Sequence, residues 1–146
     1  MAVLLLSSIL VSCSPETPAP KAVTISRLKN VQRAIQVLEE ANRATIGQQL
    51  HGISGDTTLQ RKWELLLLED AGRLQMEEKD IREFLCRDGY GNLLNVDFTT
   101  NVVAHGASPG LTSTACDVVV WSSGRNGTNE FGNGDDVVWS PPTASR

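Results

Sequence analysis

The richest run of metal-competent oxygen in this 146-residue sequence lies between Trp121 and Val137. There Asn126, Asn129, Glu130, Asn133, Asp135 and Asp136 are interleaved with Gly124, Gly127, Gly132 and Gly134. Glycine reaches positive φ at little cost, so such a segment can curl and aim carbonyl and carboxylate oxygens inward. Calcium takes roughly six to eight oxygen ligands in flexible geometry, which this composition can supply. The run contains no Cys or His, which disfavours zinc and copper. The same composition also describes an Asx-rich turn that bonds to its own backbone and needs no metal. At the level of sequence both readings stand.

Other residues of reactive type fall short of a constellation. Gly106, Ser108 and Gly110 reproduce the G-x-S-x-G spacing of a nucleophile elbow. That turn needs the residue after the serine to donate its N–H to an oxyanion, and Pro109 has no N–H. His51 and His105 lack neighbouring ligands at metal spacing and read as loop histidines. Asp135 and Asp136 are adjacent, so in a strand they would face opposite sides and form no acid–nucleophile pair. Asn126-Gly127-Thr128 is a glycosylation sequon, with meaning only in a eukaryotic secretory pathway. Trp63, Trp121 and Trp139 read as core; exposed together, Trp121 and Trp139 would offer a platform to a carbohydrate or peptide. The sequence is read as a non-enzyme.

The three cysteines are an odd number, which calls for an explanation. Cys13 closes an apolar run that begins at Val3 and is far shorter than the ~20 residues of a transmembrane helix. It has the size of a secretory h-region, about 7–15 residues. Leu10-Val11-Ser12-Cys13 resembles the lipobox of bacterial lipoproteins. The resemblance implies a signal peptide over residues 1–12, a diacylated Cys13 as mature N-terminus, and a cell-envelope location facing the periplasm. Ser14 after the cysteine points to the outer membrane ahead of the inner. The plain alternative is an N-terminal segment with a free cysteine. With Cys13 spent, Cys86 and Cys116 form an even pair in an oxidising compartment, and a disulfide between them is expected. Such a bridge would constrain the unfolded chain by about 3–4 kcal/mol; two buried thiols are the alternative.

These residues need elements to position them. Ser14 to Pro20 holds three prolines and reads as an extended tether, so residues 13–22 are assigned to a linker. Leu28, Val31, Ile35 and Leu38 recur at helical spacing, with Lys29, Arg33, Gln36, Glu40 and Arg43 opposite, which predicts an amphipathic helix over residues 24–46. His51 to Asp56 reads as a flexible connection. Thr57 with Gln60 has capping-box spacing, Asp56 being an alternative cap, and a second helix runs through Leu59, Trp63, Leu66 and Leu67 to stop at Gly72. A third, shorter helix is expected over residues 77–85. From Arg87 the pattern alternates: Leu94, Val96 and Phe98, then residues 116–121 and 136–139, read as strands. Helices first and strands last imply an α+β domain over residues 23–140, a long N-terminal helix on a small antiparallel sheet, with residues 141–146 as a tail. A net charge of −4 and a pI near 5.1, with thirteen Lys and Arg interleaved among acids, argue against nucleic-acid binding.

Two stretches remain, Arg87-Asp88-Gly89-Tyr90-Gly91-Asn92, and Ser122 to Gly127 with Gly132 to Val137. The first is similar to the Asp-x-Trp-Gly-Asn element, and the second to the C-terminal loop, of the major pseudopilin of type II secretion. The resemblance implies a pseudopilin-like fold and calcium in that loop, held by Ser123 through its main-chain carbonyl, Asn126, Asp135 and Asp136. Asn126 stands where the family carries Asp. Taken with the lipobox-like ending at Cys13, the resemblance implies a structural or assembly protein, anchored to a membrane by lipid and serving secretion or pilus-like assembly partners. The long apolar N-terminal helix of pseudopilins has no counterpart in this sequence. Two alternatives remain: a periplasmic binding module using the sheet face or Trp121 and Trp139, and a true pseudopilin whose N-terminal transmembrane helix is lost to a truncated gene start.

Overall fold

The computed structural model describes residues 18–98 and 117–138. Helix α1 spans Pro20–Asn42. Proline at the first helical position is preset in φ and loses no hydrogen bond there, so the helix opens four residues before the predicted Thr24, inside the expected linker. Leu28, Val31, Ile35 and Leu38 are all buried, as their spacing predicts. The helix ends earlier than predicted, at Asn42, because Arg43 turns left-handed at φ 51°.

Helix α2, Ile46–Gly52, occupies ground read as helix end and loop. A complete capping box starts it: Thr45 Oγ1 accepts from Gln48 N at 3.3 Å, and Gln48 Oε1 accepts from Thr45 N at 3.1 Å. Asp117 reinforces the same helix start from the far end of the chain. Its carboxylate accepts from Thr45 Oγ1 at 2.6 Å and from Gly47 N at 3.0 Å. Gly47 makes room for it, since a Cβ there would stand 2.1 Å from Asp117 Oδ2.

Helix α3, Leu59–Glu69, is capped by Thr58, whose hydroxyl accepts from Arg61 N at 3.2 Å; neither Thr57 nor Asp56 is the cap. Gly72 does not end it but sits within the single-turn α4, Ala71–Leu74. Helix α5, Glu78–Phe84, agrees with expectation to within a residue. Trp63 is fully buried between these helices, and its indole N–H donates to Leu85 O at 3.0 Å, taking up a carbonyl left over at the end of α5.

The sheet is antiparallel in the order β1-β2-β3, with β1 at Asn95–Phe98, β2 at Val118–Ser122 and β3 at Val137–Val138. Val96 pairs with Val120, and Ser122 with Val137. Helix α1 lies against β2 and β3, and α3 against β1. The α+β class, with a long N-terminal helix on a small antiparallel sheet, therefore holds. No helix among the described residues is long and apolar enough to cross a membrane.

Candidate functional site

The turn after α5 is organised by one buried carboxylate. Asp88 is 0 % exposed. Its Oδ1 accepts from Tyr90 N at 2.9 Å and Asn92 N at 2.8 Å; its Oδ2 accepts from Ser122 Oγ at 2.6 Å and, more weakly, Asn92 Nδ2 at 3.4 Å. An ionised carboxylate has about four lone-pair sites, and here all are used, which offsets the cost of burying it. Asn92 Nδ2 also donates to Gly124 O at 3.0 Å. The two stretches singled out in the sequence, around residues 88–92 and 122–136, are thus bonded to one another. Arg27 of α1 adds a cation to the turn, donating to the main-chain carbonyls of Asp88 at 2.8 Å and Arg87 at 3.4 Å.

The loop from Ser123 to Asp136 joins β2 to β3 and folds back on itself. Gly124, at φ 64°, lets its two arms touch: a Cβ there would lie 2.1 Å from Asp135 O. The outer part then curls around carboxylates. Asp136 Oδ2 accepts from both Glu130 N and Gly132 N at 2.9 Å, Asp135 Oδ2 from Asn126 N at 2.9 Å, and Glu130 Oε2 from Asp135 N at 3.2 Å. As a result Glu130, Asp135 and Asp136 each bring an oxygen to within 4.8 Å of the others. Asp136 Oδ1 is buried without a hydrogen-bond partner. Three negative groups this close, one with an orphaned oxygen, can hold a hard cation, with carbonyls and water completing the shell.

The expected ligands divide. Asp135 and Asp136 come together, because they sit in the turn ahead of β3; the opposite-face argument, which presumes a strand, does not apply to them. Asn126 contacts Asp135 through its backbone N–H, while its side-chain oxygen accepts from Thr128 N at 2.6 Å in an Asx turn. The Ser123 side chain is buried, its hydroxyl accepting from Asn95 Nδ2 at 2.7 Å, which leaves only its main-chain carbonyl for the expected role. Asn129 braces the loop, accepting from Trp121 Nε1 at 3.1 Å and Phe131 N at 3.0 Å. Glu130, counted among the oxygen donors but not among the four expected ligands, takes the third carboxylate place.

Trp121 is 3 % exposed, so it offers no face to a ligand and the paired-tryptophan platform fails on its side. His51 is not a loop residue: it belongs to the last turn of α2 and stacks on Phe98, ring centroids 4.8 Å apart. Cys86 is a buried free thiol, pushed up to about 12 first by burial and then by the nearby Glu64 charge. Cys13, Cys116, His105, Ser108 and Trp139 lie outside the described residues. Glu64 is held below the usual carboxylate value, first by its hydrogen bond from Arg82 at 2.9 Å, with partial burial opposing and Arg61 adding to the effect. Comparison of the chain with protein-family models, with curated proteins and with solved structures found no match.

Proposed function

We propose that this chain is a lipid-anchored, pseudopilin-like structural or assembly protein of the cell envelope, not an enzyme, whose loop between β2 and β3 is stabilised by calcium. Two observations carry the calcium reading: Glu130, Asp135 and Asp136 each bring an oxygen to within 4.8 Å of the others, and Asp136 Oδ1 is buried without a hydrogen-bond partner. Supporting the assembly reading are the lipobox-like ending at Cys13 and the order of elements, a long helix, then the Asp88 turn, then a sheet closed by an acidic loop. Calcium would supply the positive charge that gathers the loop's oxygens, and Glu130, Asp135 and Asp136 would hold it. Secretion or pilus-like assembly proteins are the partners this reading implies.

The test is thermal unfolding of the full chain in calcium and in chelator. A bound ion stabilises by mass action, about 2.7 kcal/mol at a hundredfold excess over its dissociation constant. Glu130→Gln with Asp135→Asn removes two charges while keeping oxygen acceptors for Asp135 N and Asn126 N, so the chelator Tm should stay near wild type while the calcium response falls away. An equal Tm in calcium and chelator for the wild type makes the loop an Asx-rich turn. Mass spectrometry of the membrane fraction tests the anchor: a diacylated Cys13 is expected, and an intact Met1 refutes it.

A further inference from the structure

The loop that gathers the carboxylates also displays an aromatic ring. Phe131 is 60 % exposed, the most exposed large hydrophobic among the described residues. Its backbone is left-handed at φ 54°, a region bulky side chains rarely enter. Strain of this kind persists only where the surroundings impose it, and it gathers at functional sites. Here Asn129 Oδ1 holds Phe131 N, and Asp136 Oδ2 grips the N–H groups on either side. The result is an apolar knob on the loop that also carries Glu130, Asp135 and Asp136.

The same molecule carries a surface of the opposite kind. An open groove of about 510 Å³ runs between α1, α4 and α5. Its floor includes Val37, 39 % exposed, Phe84, 36 % exposed, and the half-buried Leu74 and Met76. Its rim carries Arg33 and Arg73. Arg73 pairs with Asp70 at 3.1 Å, but Arg33 makes no ion pair or hydrogen bond among the described residues. An apolar floor beside the Arg33 guanidinium matches, in hydrophobicity and sign, an apolar knob on a loop whose carboxylates bond only to backbone N–H groups and, free of calcium, keep their negative charge.

We propose that the Phe131 loop of one copy docks into the α1/α4/α5 groove of a second copy. Knob and socket are different surfaces, so the contact is heterologous and propagates head to tail until a ring closes or a filament grows. A contact built on one aromatic belongs to the small, transient class of interfaces. It goes beyond the proposed function, because it needs neither the lipid nor the calcium.

Sedimentation equilibrium of the full chain, unlipidated and in chelator, tests it over a concentration series. Chelator keeps the carboxylates free, so the outcome does not depend on whether the loop binds calcium. Wild type should form dimers and larger species, weakened by added salt. Phe131→Ala and Arg33→Glu should each weaken association by about tenfold or more, and Phe131→Trp should restore it. Circular dichroism confirms that each variant is folded, Phe131 and Arg33 both being exposed. The decisive arm is a mixture of Phe131→Ala with Arg33→Glu. One intact knob and one intact socket remain, so the mixture should form dimers and nothing larger. A monomeric wild type, association unchanged in both variants, or loss on Phe131→Ala of binding to phosphatidylcholine vesicles in place of self-association would each overturn the proposal.

Discussion

Replacing Asp88 should damage the domain more than any surface change, and its two obvious variants should differ in a calculable way. Asp88→Ala removes four accepted bonds at a site that is 0 % exposed and leaves the N–H groups of Tyr90 and Asn92 and the hydroxyl of the equally buried Ser122 without their acceptor. Each stranded buried donor costs about 1–3 kcal/mol, but such terms do not add, and breaking a buried charged network typically costs about 3–5 kcal/mol in all. Against a total stability of about 5–15 kcal/mol, that lowers Tm by roughly 10–25 °C for a domain of this size. Asp88→Asn keeps an oxygen for the two backbone N–H groups but turns an amide donor towards Asn92 Nδ2, itself a donor. It also forces Ser122 Oγ, which already accepts from Gly124 N at 3.0 Å, to redirect its hydrogen. The cost should be about 1–2 kcal/mol. Urea unfolding followed by circular dichroism and tryptophan fluorescence measures both, and a cycle with Ser122→Ala should give a coupling of about 0.5–3 kcal/mol. If Asp88→Ala lies within about 0.5 kcal/mol of wild type, a loss typical of ordinary surface positions, the network is not holding the turn to the sheet.

Gly47→Ala places a methyl group 2.1 Å from Asp117 Oδ2 and should displace the carboxylate that anchors β2 to the start of α2, at a cost of about 1–2 kcal/mol by chemical denaturation; an unchanged midpoint would show that Asp117 is dispensable. Glu64 has a depressed folded-state pKa, so its contribution is present above the unfolded value near 4.5 and is lost as pH falls through the lower folded one. Its side chain is 20 % exposed and the partner arginines about half exposed, so Glu64→Gln should cost under about 1 kcal/mol at neutral pH and nothing in strong acid, read from Tm against pH. Burial keeps the Cys86 thiol protonated until about 12, so alkylation of the reduced native chain should proceed only through unfolding and speed up sharply in urea; fast labelling in buffer would contradict the burial. Since that pKa is raised above the ordinary 9.0, stability should also decline as pH climbs past 9. Protein matured in an oxidising compartment is expected to bridge Cys86 to Cys116, and two alkylatable thiols in non-reducing mass mapping would refute it.

Periodic features were legible in the sequence, and features that depend on contact across the chain were not. The stripe of Leu28, Val31, Ile35 and Leu38 located α1 because burying a helix face imposes a spacing. Helix α2 carries only Ile46 and Leu50 as periodic apolar residues, too few to signal, although Thr45 and Gln48 already stood at capping-box spacing. Thr57 and Thr58 are adjacent candidates for one cap, and packing decides between them. In the loop, composition identified Asp135 and Asp136 as neighbours in one cluster. Glu130 joins them through the left-handed residues Phe131, Gly132 and Gly134, whose effect on direction a linear reading does not contain. The Asp88–Ser122 bond spans 34 positions and the Asn95–Ser123 bond 28; short polar residues in turns carry no mark of so distant a partner.

Thr24 sets how the domain takes a load. Its hydroxyl donates to Pro20 O at 2.9 Å and accepts from Gly89 N at 2.8 Å, and the turn at Gly89 comes so close that a Cβ there would stand 2.2 Å from Pro20 O. A helix pulled at its first residue ordinarily peels one turn at a time, each hydrogen bond yielding alone. In α1 the first turn is pinned to the Asp88 turn, which is pinned in turn to Ser122 at the end of β2. Once peeling reaches Thr24, tension is passed to the Asp88 turn and from there to the sheet, so the helix beyond Thr24 unravels only if bonds to another element break with it. The start of α1 is thus fastened to the Asp88 turn, and the acidic loop is attached to the same clamp through Asn92 and Gly124.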